Sequence, residues 1–215
     1  QRRIGIARRL AYRPKGLLMA EPLSNLDAGL RRDVRAELKR LHRICDATTV
    51  DVTHDQREAM TRTAKIAVMK EGVIQQLDTP EKIYHYPANL FVADFIGSPK
   101  INMLDGWIHS QDVVDLGKFN VHAKTLRKTG EVVLAVHPED IIIHQEPVED
   151  SVEFIAYSVQ PAGADSTIIA HKGDTELIVK EMGVSKIAMD QKIWLTFDND
   201  AINLYDKRTG DLITG

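Results

Sequence analysis

Apolar and polar positions divide this chain into two stretches with different periods. In the first, residues 17–19 form a short apolar run that predicts a buried strand, ending at Ala20 and Glu21 before a polar turn. From Asp27 onward, Leu30, Val34, Leu38, Leu41 and Ile44 recur at helical spacing with Arg and Lys on the other side. This spacing predicts a surface helix of about four turns, capped by Asp27. Residues 47–53 are β-branched and predict a second strand, so 17–53 reads as a βαβ crossover. A short helix begins at Gln56, and residues 65–69 and 72–77 read as two strands joined by a Lys-Glu-Gly turn. Thr79-Pro80-Glu81 starts a helix, with Thr at the cap and Pro in the first turn. A further helix over 88–96 ends at Gly97-Ser98-Pro99.

Beyond residue 98 the period becomes alternating. Short strands are predicted over 105–109, 118–123, 131–136, 140–144, 151–159, 166–171, 175–180, 192–197 and 201–205. Gly173-Asp174 and Asn199-Asp200 are turn pairs. The pattern places an α/β part in residues 1–98 and a small all-β domain in residues 99–215. Phe154, Tyr157, Trp194 and Phe197 are expected in the β core, and Met19, Met60, Met69 and Met189 as gap-filling core residues.

Composition narrows the function classes. The 215 residues carry 28 Lys plus Arg against 31 Asp plus Glu. No apolar run approaches the roughly 20 residues that span a bilayer. The single cysteine, Cys45, excludes an internal disulfide framework. Residues 1–43 hold twelve basic and four acidic side chains, whereas residues 131–215 hold six and sixteen. An acidic β domain with no basic patch among its aromatics argues against nucleic acid as a partner. Histidines 42, 85, 109, 122, 144 and 171 show no metal-ligand spacing, so no structural zinc is expected.

Candidate chemistry follows from the strand ends. In an open α/β sheet, ligands sit at the carboxyl ends of the strands. That makes Glu21, the turn over 24–27 and Thr53-His54-Asp55 the candidate working edge. These residues also carry a family resemblance. Glu21-Pro22-Leu23-Ser24-Asn25-Leu26-Asp27, then Val52-Thr53-His54-Asp55-Gln56 with Glu58-Ala59-Met60, resemble the nucleotide-binding subunit of ABC transporters, particularly importers of carbohydrates and glycerol 3-phosphate. The likeness continues through Asp78-Thr79-Pro80-Glu81 and residues 86–99, and into an OB-like regulatory domain with Val136-His137-Pro138-Glu139-Asp140.

The resemblance implies a partial P-loop NTPase core of the ABC ATPase type, followed by an OB-like β domain. It implies Glu21 as the base that activates the attacking water and His54 as the switch residue at the γ-phosphate. Ser24 and Asp27 fall in the loop lining a dimer seam near ATP. ATP and Mg²⁺ are the implied cofactors. The implied partners are a second copy of the subunit, membrane permease subunits and a regulatory protein at the β domain. The implied location is peripheral, on the cytoplasmic side of the membrane.

The departures are equally specific. Where the family strand ends in Asp-Glu, this chain has Ala20-Glu21, so a carboxylate that anchors Mg²⁺ is replaced by a methyl group. Asp51 and His137, the latter where the family commonly has Arg, are smaller departures. Nothing matches Gly-x-x-x-x-Gly-Lys-Ser/Thr, and residues 1–10 open in mid-helix without a cap. The expectation is therefore a C-terminal part of such a subunit, unable to bind or hydrolyse ATP by itself. The alternative is a degenerate ATPase acting as a regulatory or interaction subunit.

Overall fold

The structure is a computed structural model that describes residues 15–20, 48–110, 112–125 and 129–213. The chain forms two compact units, residues 1–64 and 65–215. Gly97-Ser98-Pro99 lies within the second. The helix expected over 27–44 and Cys45 lie outside the described residues.

In the first unit, β1 (Gly16–Ala20) pairs in parallel with β2 (Thr48–Val52), from Gly16 opposite Thr48 to Ala20 opposite Val52. Adjacent parallel strands require a crossover rather than a hairpin, as the sequence pattern anticipated. Met19 is buried; Leu18, Val50 and Val52 are exposed. After β2 comes α1 (Gln56–Arg62), capped by Asp55.

The second unit opens with a hairpin of β3 (Ile66–Lys70) and β4 (Val73–Asp78). Its turn takes positive φ at Glu71 and Gly72, the conformation that twists the two strands correctly. Two short helices follow: α2 (Pro80–His85), capped by Thr79, and α3 (Leu90–Phe95), capped by Asn89. The expected helix from residue 88 starts later because Ala88 is committed elsewhere. Its amide donates to Gln76 Oε1, and its carbonyl accepts from Leu212.

The ten strands described beyond β4 do not form a simple series, because they interleave in two antiparallel sheets. One sheet runs β14-β8-β5-β6-β7, made of β5 (Asn102–Ser110), β6 (Val113–Asp115), β7 (Asn120–His122), β8 (Gly130–Val136) and β14 (Asn203–Asp206). The other runs β12-β11-β10-β13-β9, made of β9 (Ile141–His144), β10 (Val152–Pro161), β11 (Asp165–Lys172), β12 (Thr175–Met182) and β13 (Lys192–Phe197). Its edges β12 and β9 lie against each other, so the sheet curls into an OB-like half-barrel. Both sheets line one core, with Ile108, Leu134 and Leu204 from the first meeting Phe154, Ile168 and Leu195 from the second.

Burial explains the differing strand patterns. From Val132 to Val136 β8 is continuously apolar because both of its faces are covered there. Leu134 and Val136 enter the shared core, while Val133 and Ala135 meet Ala93 of α3 and Tyr205. β10 has one open face, and there one expectation fails. Tyr157 is exposed and stacks on His171, with ring centroids 4.5 Å apart. Met69 and Met189 are exposed rather than core-filling. Strand β6 had no sequence signal beyond two valines; Gly106 makes room for it, since a Cβ there would lie 2.8 Å from Val114 and Leu116.

Asn102 ties the two sheets together. Its side-chain amide donates to the Ile178 carbonyl at 2.8 Å, and its oxygen accepts from the Ile178 amide at 2.7 Å. Asn102→Ala leaves both backbone groups without this partner, at a cost of about 1–3 kcal/mol. The expected result is a lower denaturant midpoint with an unchanged m-value, measured by urea unfolding.

Candidate functional site

The carboxyl ends of β1 and β2 lie level. Ala20 and Val52 are the last residues of their strands and are register partners. His54 follows two residues after Val52, exposed, in the bend that joins β2 to α1. Glu21, Ser24 and Asp27 lie outside the described residues. Of the five positions singled out in the sequence, the structure therefore brings Ala20 and His54 to neighbouring strand ends.

The bend around His54 is closed by side chains. The Asp55 amide donates to Thr53 Oγ1 at 3.0 Å, which spans His54 in a three-residue turn. The Thr53 hydroxyl donates in turn to Glu58 Oε2 at 3.0 Å. The Glu58 amide donates to Asp55 Oδ1 at 3.1 Å, completing the cycle and capping α1. Glu58 is only 4% exposed, and its charge sits in the first helical turn, where the helix dipole favours it. Sequence reasoning named His54 and missed Glu58. The available signal was Asp-x-x-Glu, the spacing of a capping box. Here the glutamate reaches the cap through Thr53.

The residues at this edge can be tested against the implied Mg²⁺. A magnesium ion takes hard oxygen ligands in a near-octahedral shell. Ala20 presents a methyl group, Asp55 Oδ1 already accepts from the Glu58 amide, and no group of three potential ligands occurs among the described residues. The described edge residues do not make a magnesium site by themselves. Nor, among the described residues, is any helix long and apolar enough to cross a membrane.

A second polar cluster lies in the 65–215 unit. His137, buried at the end of β8, stacks on Tyr84 of α2 with centroids 4.0 Å apart and planes 7° from parallel. His137 Nε2 lies 3.1 Å from the Tyr84 carbonyl, which can only accept, so this nitrogen carries the proton. The Tyr84 hydroxyl donates to Glu139. Burial foremost, and then this carboxylate, push the Tyr84 phenol well above its ordinary pKa. Burial likewise raises the Asp140 carboxyl. Nearby, Tyr205 donates to the Pro87 carbonyl at 3.0 Å and Asn203 to that of His85 at 2.9 Å. These contacts fasten the α2–α3 segment to the sheet. The stacked rings and the carbonyl bonds together make the cluster read as a clamp.

No family model matches the chain. Among curated proteins, it is 37% identical over 227 residues to the trehalose/maltose import ATP-binding protein MalK of Thermococcus litoralis, covering 99% of this chain and 61% of the relative. It is 39% identical over 211 residues to the Fe(3+) ions import ATP-binding protein FbpC of Fusobacterium nucleatum, covering 95% of this chain and 56% of the relative. It is 36% identical over 222 residues to the xylose/arabinose import ATP-binding protein XacK of Haloferax volcanii, covering 99% and 58% respectively. The chain thus spans less than two thirds of the length of these relatives, with near-complete coverage of its own residues.

Proposed function

Homology over nearly its whole length makes this chain a relative of ABC-transporter ATP-binding proteins, and from that premise we propose that it serves in ATP-driven solute import. The observation that carries the reading is the level ending of β1 and β2, which sets Ala20 and the His54 turn at one strand edge. On this reading Glu21 activates the attacking water, and His54 contacts the γ-phosphate and completes the site when nucleotide is bound. Ser24 and Asp27 belong to the seam with a second copy. ATP with Mg²⁺ is the proposed cofactor pair, and permease subunits at the cytoplasmic face of the membrane are the proposed partners. Residues 1–98 serve the nucleotide site. Residues 99–215 serve regulation, as the surface for a regulatory protein. A sugar is the proposed cargo, because the names of two of the three relatives specify sugars; ferric iron is the cargo named for the third.

One observation favours a second reading, a degenerate ATPase retained as a regulatory subunit. It is the Ala20 methyl at the strand end, where a metal-anchoring carboxylate belongs. Ala20→Asp in the assembled transporter separates the two. Ala20 is exposed, so the added carboxylate meets no steric barrier from burial. Under the first reading, Mg²⁺ affinity and Mg-dependent phosphate release both rise, by about 10–100-fold, the usual weight of a supporting group at a metal site. Unchanged affinity and turnover place the regulatory reading ahead.

A further inference from the structure

We propose that Thr53 and Glu58 are positioning residues for His54, a role that rests on the nucleotide-site reading above and extends it. A side chain that must meet a phosphate oxygen repeatedly needs its backbone held, and a turn between a strand and a helix is not held by either ladder. Here the turn is held by side chains. Thr53 Oγ1 accepts from the Asp55 amide and so pins the residues on both sides of His54.

That single bond leaves the threonine hydroxyl free to rotate unless its proton is also engaged. Glu58 Oε2 engages it at 3.0 Å. Glu58 is itself buried, with an exposure of 4%, and is anchored in α1 by its amide bond to Asp55. The hydroxyl therefore works in both directions at once, as acceptor from the turn and donor to the helix. Aspartate capping alone would secure α1 without reaching back across His54. The Thr53–Glu58 link is the part of the cycle that capping does not require, and it is the part that fixes the histidine against β2.

The separating variants are Thr53→Val, which keeps the β-branched shape and removes the hydroxyl, and Thr53→Ser, which keeps the hydroxyl. Each is made in the assembled transporter for kinetics and in this chain for hydrogen exchange at the Asp55 amide. The expected result for Thr53→Val is faster Asp55 exchange and a kcat for ATP lowered by up to about 100-fold, the scale of a misplaced reacting group, with KM unchanged. Thr53→Ser restores both. Glu58→Gln, which retains an acceptor for the hydroxyl, stays near wild type, whereas Glu58→Ala follows Thr53→Val. Wild-type exchange and kcat in Thr53→Val, or failure of serine to restore them, overturns the proposal. Failure of the nucleotide-site reading has a different signature: His54→Ala leaves turnover unchanged while Thr53→Val still frees the Asp55 amide. That outcome upholds the positioning and removes its catalytic purpose.

Discussion

Phe154→Ala is expected to destabilise the 65–215 unit by about 3–5 kcal/mol, the usual cost of deleting a buried aromatic ring. Phe154 is 1% exposed, and its ring meets Phe119 edge-to-face with centroids 5.5 Å apart. Phe119 in turn stacks on Phe197 at 6.1 Å, so the deleted ring supports a chain of three aromatics between the sheets. β10 contributes this ring to a core walled by both sheets, which cannot collapse around the void without moving a strand. For a unit of this size, the loss corresponds to a fall in melting temperature on the order of 10 °C. Tyr157→Ala on the same strand is the control. Its ring is exposed and makes its stack on the outer face, so the expected change is under about 1 kcal/mol. Thermal unfolding followed by near-UV circular dichroism measures both. Equal losses would contradict the assignment of the two faces.

The same pair shows what the sequence could and could not disclose. Phe154 and Tyr157 are three residues apart, an odd interval, and a strand with period two sends them to opposite faces. Hydrophobicity alone assigns both to the core; alternation separates them, and the buried Phe154 and Ala156 show which parity wins. Most strand positions were legible for this reason, since apolar alternation between turn pairs survives in β10, β11 and β13. β6 was not legible. Three residues carry too little pattern, and its place is set by the gap at Gly106, a fact about packing between strands. The compact unit that begins at Lys65 was equally hidden, because the change of period at Gly97 marks a change of local structure. Packing follows other rules: α3 covers β8 through Ala93, and Tyr205 and Asn203 hold the preceding loop by its carbonyls. At the candidate site, the motif identified His54, but the Thr53 link to Glu58 depends on a turn conformation that composition does not encode.

His54→Ala is expected to lower kcat for ATP by about 10²–10³-fold, with a much smaller change in KM. On the proposed reading His54 touches the γ-phosphate. Charge on the transferred phosphoryl group is redistributed in the transition state, and a positioned donor aimed at its oxygens stabilises that state more than bound substrate. Removing one such donor costs about 2.7–4 kcal/mol, which is the stated fold-change. On the proposed reading KM responds less, because one phosphate contact is a small share of the total affinity for a nucleotide. His54 is exposed, and the cycle among Thr53, Asp55 and Glu58 uses none of its side-chain atoms, so that cycle survives the substitution. Phosphate release by the assembled transporter, measured with a saturating and a limiting ATP series, gives both constants. A comparable loss in kcat accompanied by a lowered melting temperature would indicate a folding defect instead. Unchanged turnover would remove His54 from the chemistry and leave the regulatory reading, with Ala20 as its strongest support.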